Sequence, residues 1–301
     1  MLRTPLRRSA WLSAASGTDV FLKLETLQPT FSYKIRGALN AVLRLLEGTA
    51  GAVPPLVTAS AGNHGRALAH AAREAGLRLT VYVAETAPRN KLDAMRQAGA
   101  ELRPCRNYDE AERRAKEHGA TGDALFISPY SHPDVIAGAG TIALEIIDEQ
   151  ADIDTFIVPI GGGGLISGVG IAAETIGALV VGVEVEASNP FTRSLSAGRI
   201  VEIDVGPTLA DGLAGNMDPE TITFDLVKRY VRRIVLVGES QLGSALGAIL
   251  REERLVAEGA AATGVAAVVS GSVDLTGRRA AVILSGANID PAKLCALVSS
   301  A

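Results

Sequence analysis

Aromatic residues are scarce in this sequence: Phe, Trp and Tyr make up 4% of 301 residues, while hydrophobic residues as a whole reach 48% and charged ones 21%. A sizeable core can be buried, and it has to be built mostly from Ala, Val, Leu and Ile. An aliphatic core accompanied by 32 glycines suits an α/β protein with buried parallel strands better than a β-sandwich. Cysteine is nearly absent, and Cys105 and Cys295 form no close-spaced pair. That argues against a disulfide framework and for a reducing cytoplasm. No close-spaced His or Cys cluster supports a zinc site. With a net charge of −4 and no long basic run, a nucleic-acid footprint is missing too.

Two stretches imitate targeting signals and fail on inspection. Arg7-Arg8-Ser9-Ala10-Trp11-Leu12 resembles a twin-arginine export signal. Its apolar run stops at Ser13 and Gly17-Thr18-Asp19, short of the roughly 7–15 residues an export signal uses. Thr155 to Ala173 carries no charge, but Pro159 and the run Gly161 to Gly164 would break a membrane-spanning helix. Neither export nor a membrane segment is expected.

What is present alternates between strand and helix. Val20 to Glu25 reads as a short strand, and a helix follows from the Lys34 segment to about Leu46. Gly48 to Pro55 is a turn-rich break. Strands at Leu56–Ala59 and Leu79–Val83 alternate with helices at Arg66–Ala75 and Asn90–Ala98, closed by Gly76 and Gly99. This rhythm predicts a parallel sheet with right-handed crossovers. A helix at Asp109–His118 and a strand at Ala124–Ile127 follow. Further helices are expected at Gly140–Gln150, from the glycine run to Ile176, at Gln241–Leu255 and at Gly259–Ser270. Strands are expected at Phe156–Ile160, Val180–Val185, Ile234–Val237 and Ala281–Leu284, with Asp211 in a loop.

Ligands of open parallel sheets bind beyond the carboxyl ends of the strands. Three such turns stand out: Ser60-Ala61-Gly62-Asn63-His64-Gly65, Gly161 to Gly164, and Ser285-Gly286-Ala287-Asn288. The first two lead into helices whose free N–H groups suit an anion. Four glycines in succession let backbone amides approach a phosphate without obstruction by Cβ. Ser60 and Asn63 fit either an anion seat or a plain helix cap. His64 fits either a base or a hydrogen-bonding prop.

The remaining signal is Thr30-Phe31-Ser32-Tyr33-Lys34-Ile35-Arg36-Gly37. Arg36 and partial burial would both disfavour a protonated Lys34, which is what a Schiff-base lysine needs. The alternative is an ordinary basic residue opening a solvated helix. A dinucleotide fingerprint competes for the glycine stretch: Gly168-Val169-Gly170-Ile171-Ala172-Ala173, with Glu184 or Glu186 ending the next strand, would suggest an NAD-dependent oxidoreductase. Its glycines fall inside the expected helix rather than astride the strand-to-helix turn. It also leaves Lys34 unexplained.

Taken together, these segments resemble the fold-type II pyridoxal-phosphate (PLP) enzymes, in the branch of serine/threonine dehydratases (threonine ammonia-lyases) and serine racemase. The resemblance covers nearly the whole chain. It runs through Arg3-Thr4-Pro5-Leu6, Leu22-Lys23-Leu24-Glu25, the Lys34 segment, Ser60 to Gly65, and Ala137-Gly138-Ala139-Gly140-Thr141. Gly161 to Leu165, Ala210-Asp211-Gly212 and Leu284 to Asn288 complete it. It implies a two-domain α/β fold (tryptophan synthase β-like) with helices on both faces of parallel sheets. The larger domain, residues 1–51 and 132–301, holds the cofactor. A smaller inserted domain, 52–131, carries the substrate loop, with the cofactor between the two.

The resemblance also implies residue roles. Lys34 matches the lysine that binds pyridoxal phosphate and then moves the Cα proton. Gly161, Gly162, Gly163, Gly164 and Leu165 match the cofactor's phosphate loop. Asn63 matches the partner of the pyridine 3′-oxygen, and Ser285 the partner of the pyridine nitrogen. Ser60, Ala61, Gly62, Asn63 and His64 match the loop that holds the substrate carboxylate. The implied reaction is β-elimination from an L-hydroxy amino acid such as L-threonine or L-serine, giving a 2-oxo acid and ammonia. The implied enzyme is a cytoplasmic homodimer acting on a small amino acid.

Departures from the family pattern bear on the substrate. Racemases of this branch have a second serine where this chain has Ala61, so racemisation is disfavoured. Phe31 stands where glycine is expected, Tyr33 where phenylalanine is usual, and Arg66 where glutamine is common. A hydroxyaspartate or aryl-serine lyase, and a non-catalytic PLP-binding relative, remain the alternatives. Glu184 and Asp211 fall near where some relatives hold a divalent cation, and a bound divalent or monovalent cation is an open expectation. The chain starts close to the first motif and stops soon after Ser285, so no regulatory amino-acid-binding domain is expected.

Overall fold

The computed structural model describes residues 1–87 and 89–299. In chain order its strands are β1 (Leu6–Arg8), β2 (Val20–Leu24), β3 (Leu56–Ala59), β4 (Leu79–Ala84), β5 (Glu101–Cys105), β6 (Leu125–Phe126), β7 (Thr155–Pro159), β8 (Leu179–Val185), β9 (Arg233–Val237) and β10 (Ala280–Leu284). Its helices are α1 (Ala10–Ser16), α2 (Lys34–Gly48), α3 (Asn63–Glu74), α4 (Arg89–Gln97), α5 (Tyr108–Ala120), α6 (Pro133–Glu149), α7 (Gly164–Glu174), α8 (Pro190–Ala197), α9 (Thr223–Tyr230), α10 (Glu239–Ala248), α11 (Gly259–Val269) and α12 (Pro291–Ser299).

The chain divides into two compact units. The smaller spans Tyr33–Ala139, and the larger joins Leu2–Ser32 to everything from Gly140 onward. The boundary differs from the expected 52–131 because α2 and the start of α6 belong with the smaller unit. A Cβ on Gly37 of α2 would lie 2.7 Å from the Val135 carbonyl oxygen of α6. That close approach ties the two helices together.

The larger unit holds a six-stranded sheet in the order β1-β2-β10-β7-β8-β9, antiparallel only between β1 and β2. β2, β7 and β10 are buried along their whole length, the pattern of parallel strands covered on both faces. The apolar runs of β7 and β10 were readable for that reason. The core cluster around them consists of Ala, Val, Leu and Ile, as the scarcity of aromatics requires. Lys23 is the exception, on β2 and 0% exposed. Its ammonium is compensated by the Glu145 carboxylate and the Thr4 carbonyl, each at 2.7 Å. An unpaired charge there would be costly, so the Thr4 and Lys23 motifs serve the scaffold.

The smaller unit holds a four-stranded parallel sheet in the order β5-β4-β3-β6. The sequence reading passed over β5. It is an edge strand with a polar pattern and contains Pro104, which an edge tolerates and a central strand does not. β1, α1, α8 and α9 are short and were also passed over, although Ser9 caps α1 and Gly17 closes it in the left-handed conformation. Arg7 and Arg8, the twin-arginine look-alike, lie in β1 and pair with Glu253 and Asp19. Among the described residues no helix is long and apolar enough to cross a membrane. The uncharged stretch from Thr155 is β7, the glycine turn and α7.

Candidate active site

In the smaller unit, Lys34 is the first residue of α2, and Tyr33 at the helix cap offers no side-chain bond. The half-buried Lys34 ammonium donates to the Pro129 carbonyl at 2.7 Å and lies 5.2 Å from the centre of the Tyr33 ring. Pro129 follows β6, and β6 is the parallel neighbour of β3, so the lysine is anchored at the sheet edge from which the Ser60 loop departs. Arg36 does not share its face: two positions along a helix turn the side chain by about 200°, and Arg36 is 1% exposed.

The Ser60–His64 loop is shaped by close approach. Ser60 Oγ accepts from the Gly62 amide at 3.2 Å, and a Cβ on Gly65 would lie 2.4 Å from the Ser60 carbonyl oxygen. α3 starts at Asn63, three residues earlier than expected, with Gly62 as its cap and no side-chain bond to its first turn. His64 is 2% exposed, and neither ring nitrogen is hydrogen-bonded. The nearby Ile127 carbonyl accepts instead from Thr58 Oγ1 at 2.7 Å. Burial first, and the Lys34 charge second, push the His64 pKa down to about 3. It is a neutral imidazole at any physiological pH. Burial also lowers the pKa of His132, whose Nδ1 accepts from the Asp134 amide at 3.2 Å.

In the larger unit, β7 and β10 are parallel neighbours with Ile157 opposite Val282. Gly161 to Gly164 and Ser285 therefore leave adjacent strand ends. Gly163 has φ +85°, and a Cβ there would lie 2.6 Å from the Phe191 ring. Gly163 caps α7 without a side-chain bond, so the first-turn amides of this helix face an outside acceptor. Thr223 Oγ1 donates to the Gly162 carbonyl at 2.8 Å and fixes the turn from below. Leu165 and Ser285 are each 3% exposed. Phe31, in place of the expected glycine, has φ +56°. It is held by amide–carbonyl bonds from Phe31 to Gln28 (2.7 Å) and from Ala287 to Phe31 (2.8 Å).

The weaker candidates come out differently. Glu184 is 0% exposed and caps α8, accepting from the Phe191 and Thr192 amides and from Thr192 Oγ1 at 2.6–2.9 Å. Burial raises its pKa against the pull of those bonds. Its structural task is to place Phe191, which in turn packs on the glycine loop. Asp211 lies exposed in a turn. No group of three or more His, Cys, Asp or Glu side chains able to hold a metal occurs among the described residues. Gly168 and Gly170 lie inside α7, against Gly140 and Tyr230. They are packing glycines, which disposes of the dinucleotide fingerprint.

The sequence reading missed Thr223, Phe191 and the Pro129 carbonyl, none of which carries a local motif. It also missed Glu258, 6% exposed, whose amide donates to the Gly286 carbonyl at 3.0 Å. A carboxylate directly before an Ala/Gly-rich helix was the available signal.

The chain is 41% identical over 291 residues to the L-threonine ammonia-lyase of Thermotoga maritima, covering 96% of this chain and 72% of that protein. It is 34% identical to the β-hydroxyaspartate dehydratase of Paracoccus denitrificans, covering 97% and 92%. Among solved structures, the processed form of threonine deaminase isoform 2 from Solanum lycopersicum superposes with a TM-score of 0.90 at 30% identity, covering all of this chain and 88% of that one. The family model described as pyridoxal-phosphate dependent enzyme matches residues 1–286, and the chain belongs to that family.

Proposed function

We propose that this protein is a PLP-dependent ammonia-lyase that dehydrates and deaminates an L-hydroxy amino acid, L-threonine or L-serine, to a 2-oxo acid and ammonia. The observation that carries the reading is Lys34, which opens α2 with its amine held beside the end of β3, where the Ser60–His64 loop begins. The donor set fits the cofactor. Gly163, where a side chain would strike Phe191, and the uncapped start of α7 suit a phosphate. When bound, the cofactor supplies the electron sink that weakens the bonds at the substrate Cα.

The chain's own groups do the rest. Lys34 would hold the cofactor through its amine at the aldehyde carbon, and the same amine is the base that would take the substrate's Cα proton. The uncapped amides at the start of α3, with Ser60 and Asn63, hold the substrate carboxylate, and Asn63 also serves the ring oxygen. His64, kept neutral by burial, adds no charge beside Lys34. Gly161 to Leu165 hold the phosphate. Ser285 would meet the ring nitrogen with a hydroxyl, which would not hold a proton there as an aspartate would, and this supports elimination of the β-hydroxyl over racemisation. Ala61 has no group to act as a second base, which supports lyase over racemase. In this reading the smaller unit carries the substrate loop and the larger unit the phosphate loop.

The test is a substrate panel on purified holoenzyme. L-Threonine and L-serine should yield 2-oxobutanoate and pyruvate faster than hydroxyaspartate is consumed and faster than any D-amino acid forms. Faster oxaloacetate release from hydroxyaspartate, or faster racemisation, would replace the reading. Two free cysteines, Cys105 and Cys295, support a cytoplasmic setting, and the family resemblance supports a homodimer, which sedimentation velocity would read directly.

A further inference from the structure

A second polar cavity lies in the smaller unit on the α5 side of its sheet, formed by residues to which the proposed reaction assigns no task. It is an open depression of about 280 Å³ lined by Tyr82, Arg103, Arg114, Glu117, His118 and Thr121. Tyr82 and Arg103 are opposite one another on β4 and β5, while Arg114, Glu117 and His118 come from α5. The Tyr82 ring organises the cluster. Guanidinium carbons of Arg114 and Arg103 lie 5.3 and 5.8 Å from its centre, and the His118 ring meets it edge-on at 6.1 Å. Arg103 Nη1 also donates to the Tyr82 hydroxyl at 3.2 Å.

The charges around this cavity are not balanced in pairs. Glu101 is bonded to Arg103 at 2.8 Å, and Glu117 is bonded to Arg113 at 2.5 Å. Arg114 is in no ion pair among the described residues: it meets the Tyr82 ring, donates to Cys105 Sγ at 3.7 Å, and is attracted through space by Glu110. It is only half-buried, so water tolerates the arrangement, but stacking holds the planar donor fork in place at the cavity. A guanidinium held against a ring, with Glu110 acting on it only through space and no carboxylate bonded to it among the described residues, beside a second guanidinium, an imidazole and a phenol, is a recognition element for an oxyanion.

We propose that this cavity is a binding site for a small metabolite bearing a phosphate or carboxylate group, with Arg114 as its principal ligand and Arg103 and His118 as supporting donors. The site also has a route to the Ser60–His64 loop. The Ser60 amide donates to the carbonyl of Tyr82 itself at 3.2 Å, and Ala59 is the register partner of Tyr82. A ligand that draws Arg114 off the Tyr82 ring acts on the strand that fixes the first residue of that loop. Occupancy is therefore expected to alter KM for the amino acid more than kcat.

Holoenzyme, with its cofactor phosphate site already filled, is titrated calorimetrically with inorganic phosphate and separately with malonate, each at ionic strength matched with NaCl. Saturable binding of at least one probe is expected, weakened at least tenfold by Arg114→Gln and also weakened by Arg103→Gln. Phosphate binding alone identifies a phosphate ester as the ligand class; malonate binding alone identifies a carboxylate. Retained cofactor absorbance and an unchanged melting temperature show that each variant is folded. No saturable binding of either probe to wild type overturns the proposal, and so does binding that survives in both variants. The binding readout is independent of turnover, so these outcomes do not depend on the substrate assigned above.

Discussion

The two units present their candidate residues in opposite ways. The smaller unit offers side chains: the Lys34 amine bound to a carbonyl, Asn63 at the start of α3, and His64 buried with both ring nitrogens unpaired. The larger unit offers mainly backbone, namely four glycines at an uncapped helix start and a single small hydroxyl at Ser285. Side chains that must react or carry protons gain from being few, buried and individually held. A group that must seat a phosphate gains from having no side chains at all. The contrast predicts that substitutions in the smaller unit damage turnover, and those in the larger unit damage cofactor retention and stability.

The sharpest way to break that contrast is Lys34→Ala. Turnover of L-threonine should fall by about 10³-fold or more, with the melting temperature of the apoprotein nearly unchanged. A variant that retains a tenth of the activity would contradict the division.

On the other side, Gly163→Ala forces a side chain into left-handed backbone and onto the Phe191 ring. Strain and overpacking together should cost about 2–4 kcal/mol, read by urea denaturation, with cofactor affinity reduced in parallel. Full stability with normal cofactor binding would show that the loop does not need to be bare.

His64 sharpens the contrast through pH. An unfolded histidine titrates near 6.5, whereas the folded one holds off protonation until about pH 3. Between those values the unfolded state binds a proton that the native state does not. The stability is therefore complete above about pH 6.5 and is lost as pH falls. At pH 5 the loss from this residue should be about 2 kcal/mol. Urea unfolding at pH 7 and pH 5 should show a smaller drop for His64→Asn than for wild type. Equal drops would mean that the imidazole is protonated in the fold.

The smallest effect is expected at Phe31. Replacing it with glycine relieves positive-φ strain but restores backbone freedom to the unfolded chain, for a net gain of about 0.5–1 kcal/mol. A loss of stability would show that its ring makes compensating contacts.

Much of this arrangement was legible beforehand. β7 and β10 were readable because strands buried on both faces are apolar runs, β2 from its alternation, β8 from the strand–helix rhythm, and the glycine run and the Lys34 helix start because each is a local signal. β5 was not, since an edge strand with Pro104 lacks that pattern. Helix starts at Asn63 and Pro133 were placed late, because the first has no capping side chain and the second is capped by a histidine, His132, which is not a usual cap residue. Glu184 was singled out at a strand end, near where some relatives hold a cation; that it caps α8 and places Phe191 against Gly163 was not foreseen. That role depends on an element, α8, whose short run gave no clear period. His64 was noticed, but its depth of burial, with the Ile127 carbonyl as the polar group near its ring, is a property of the three-dimensional fold alone.

The most direct test of the central claim is to reduce the holoenzyme with borohydride, digest it, and map the modified peptide by mass spectrometry. The account predicts a pyridoxyl group on Lys34 and on no other lysine, blocked when Lys34→Ala is treated in the same way. A label on another residue, or no label on protein saturated with pyridoxal phosphate, would contradict it.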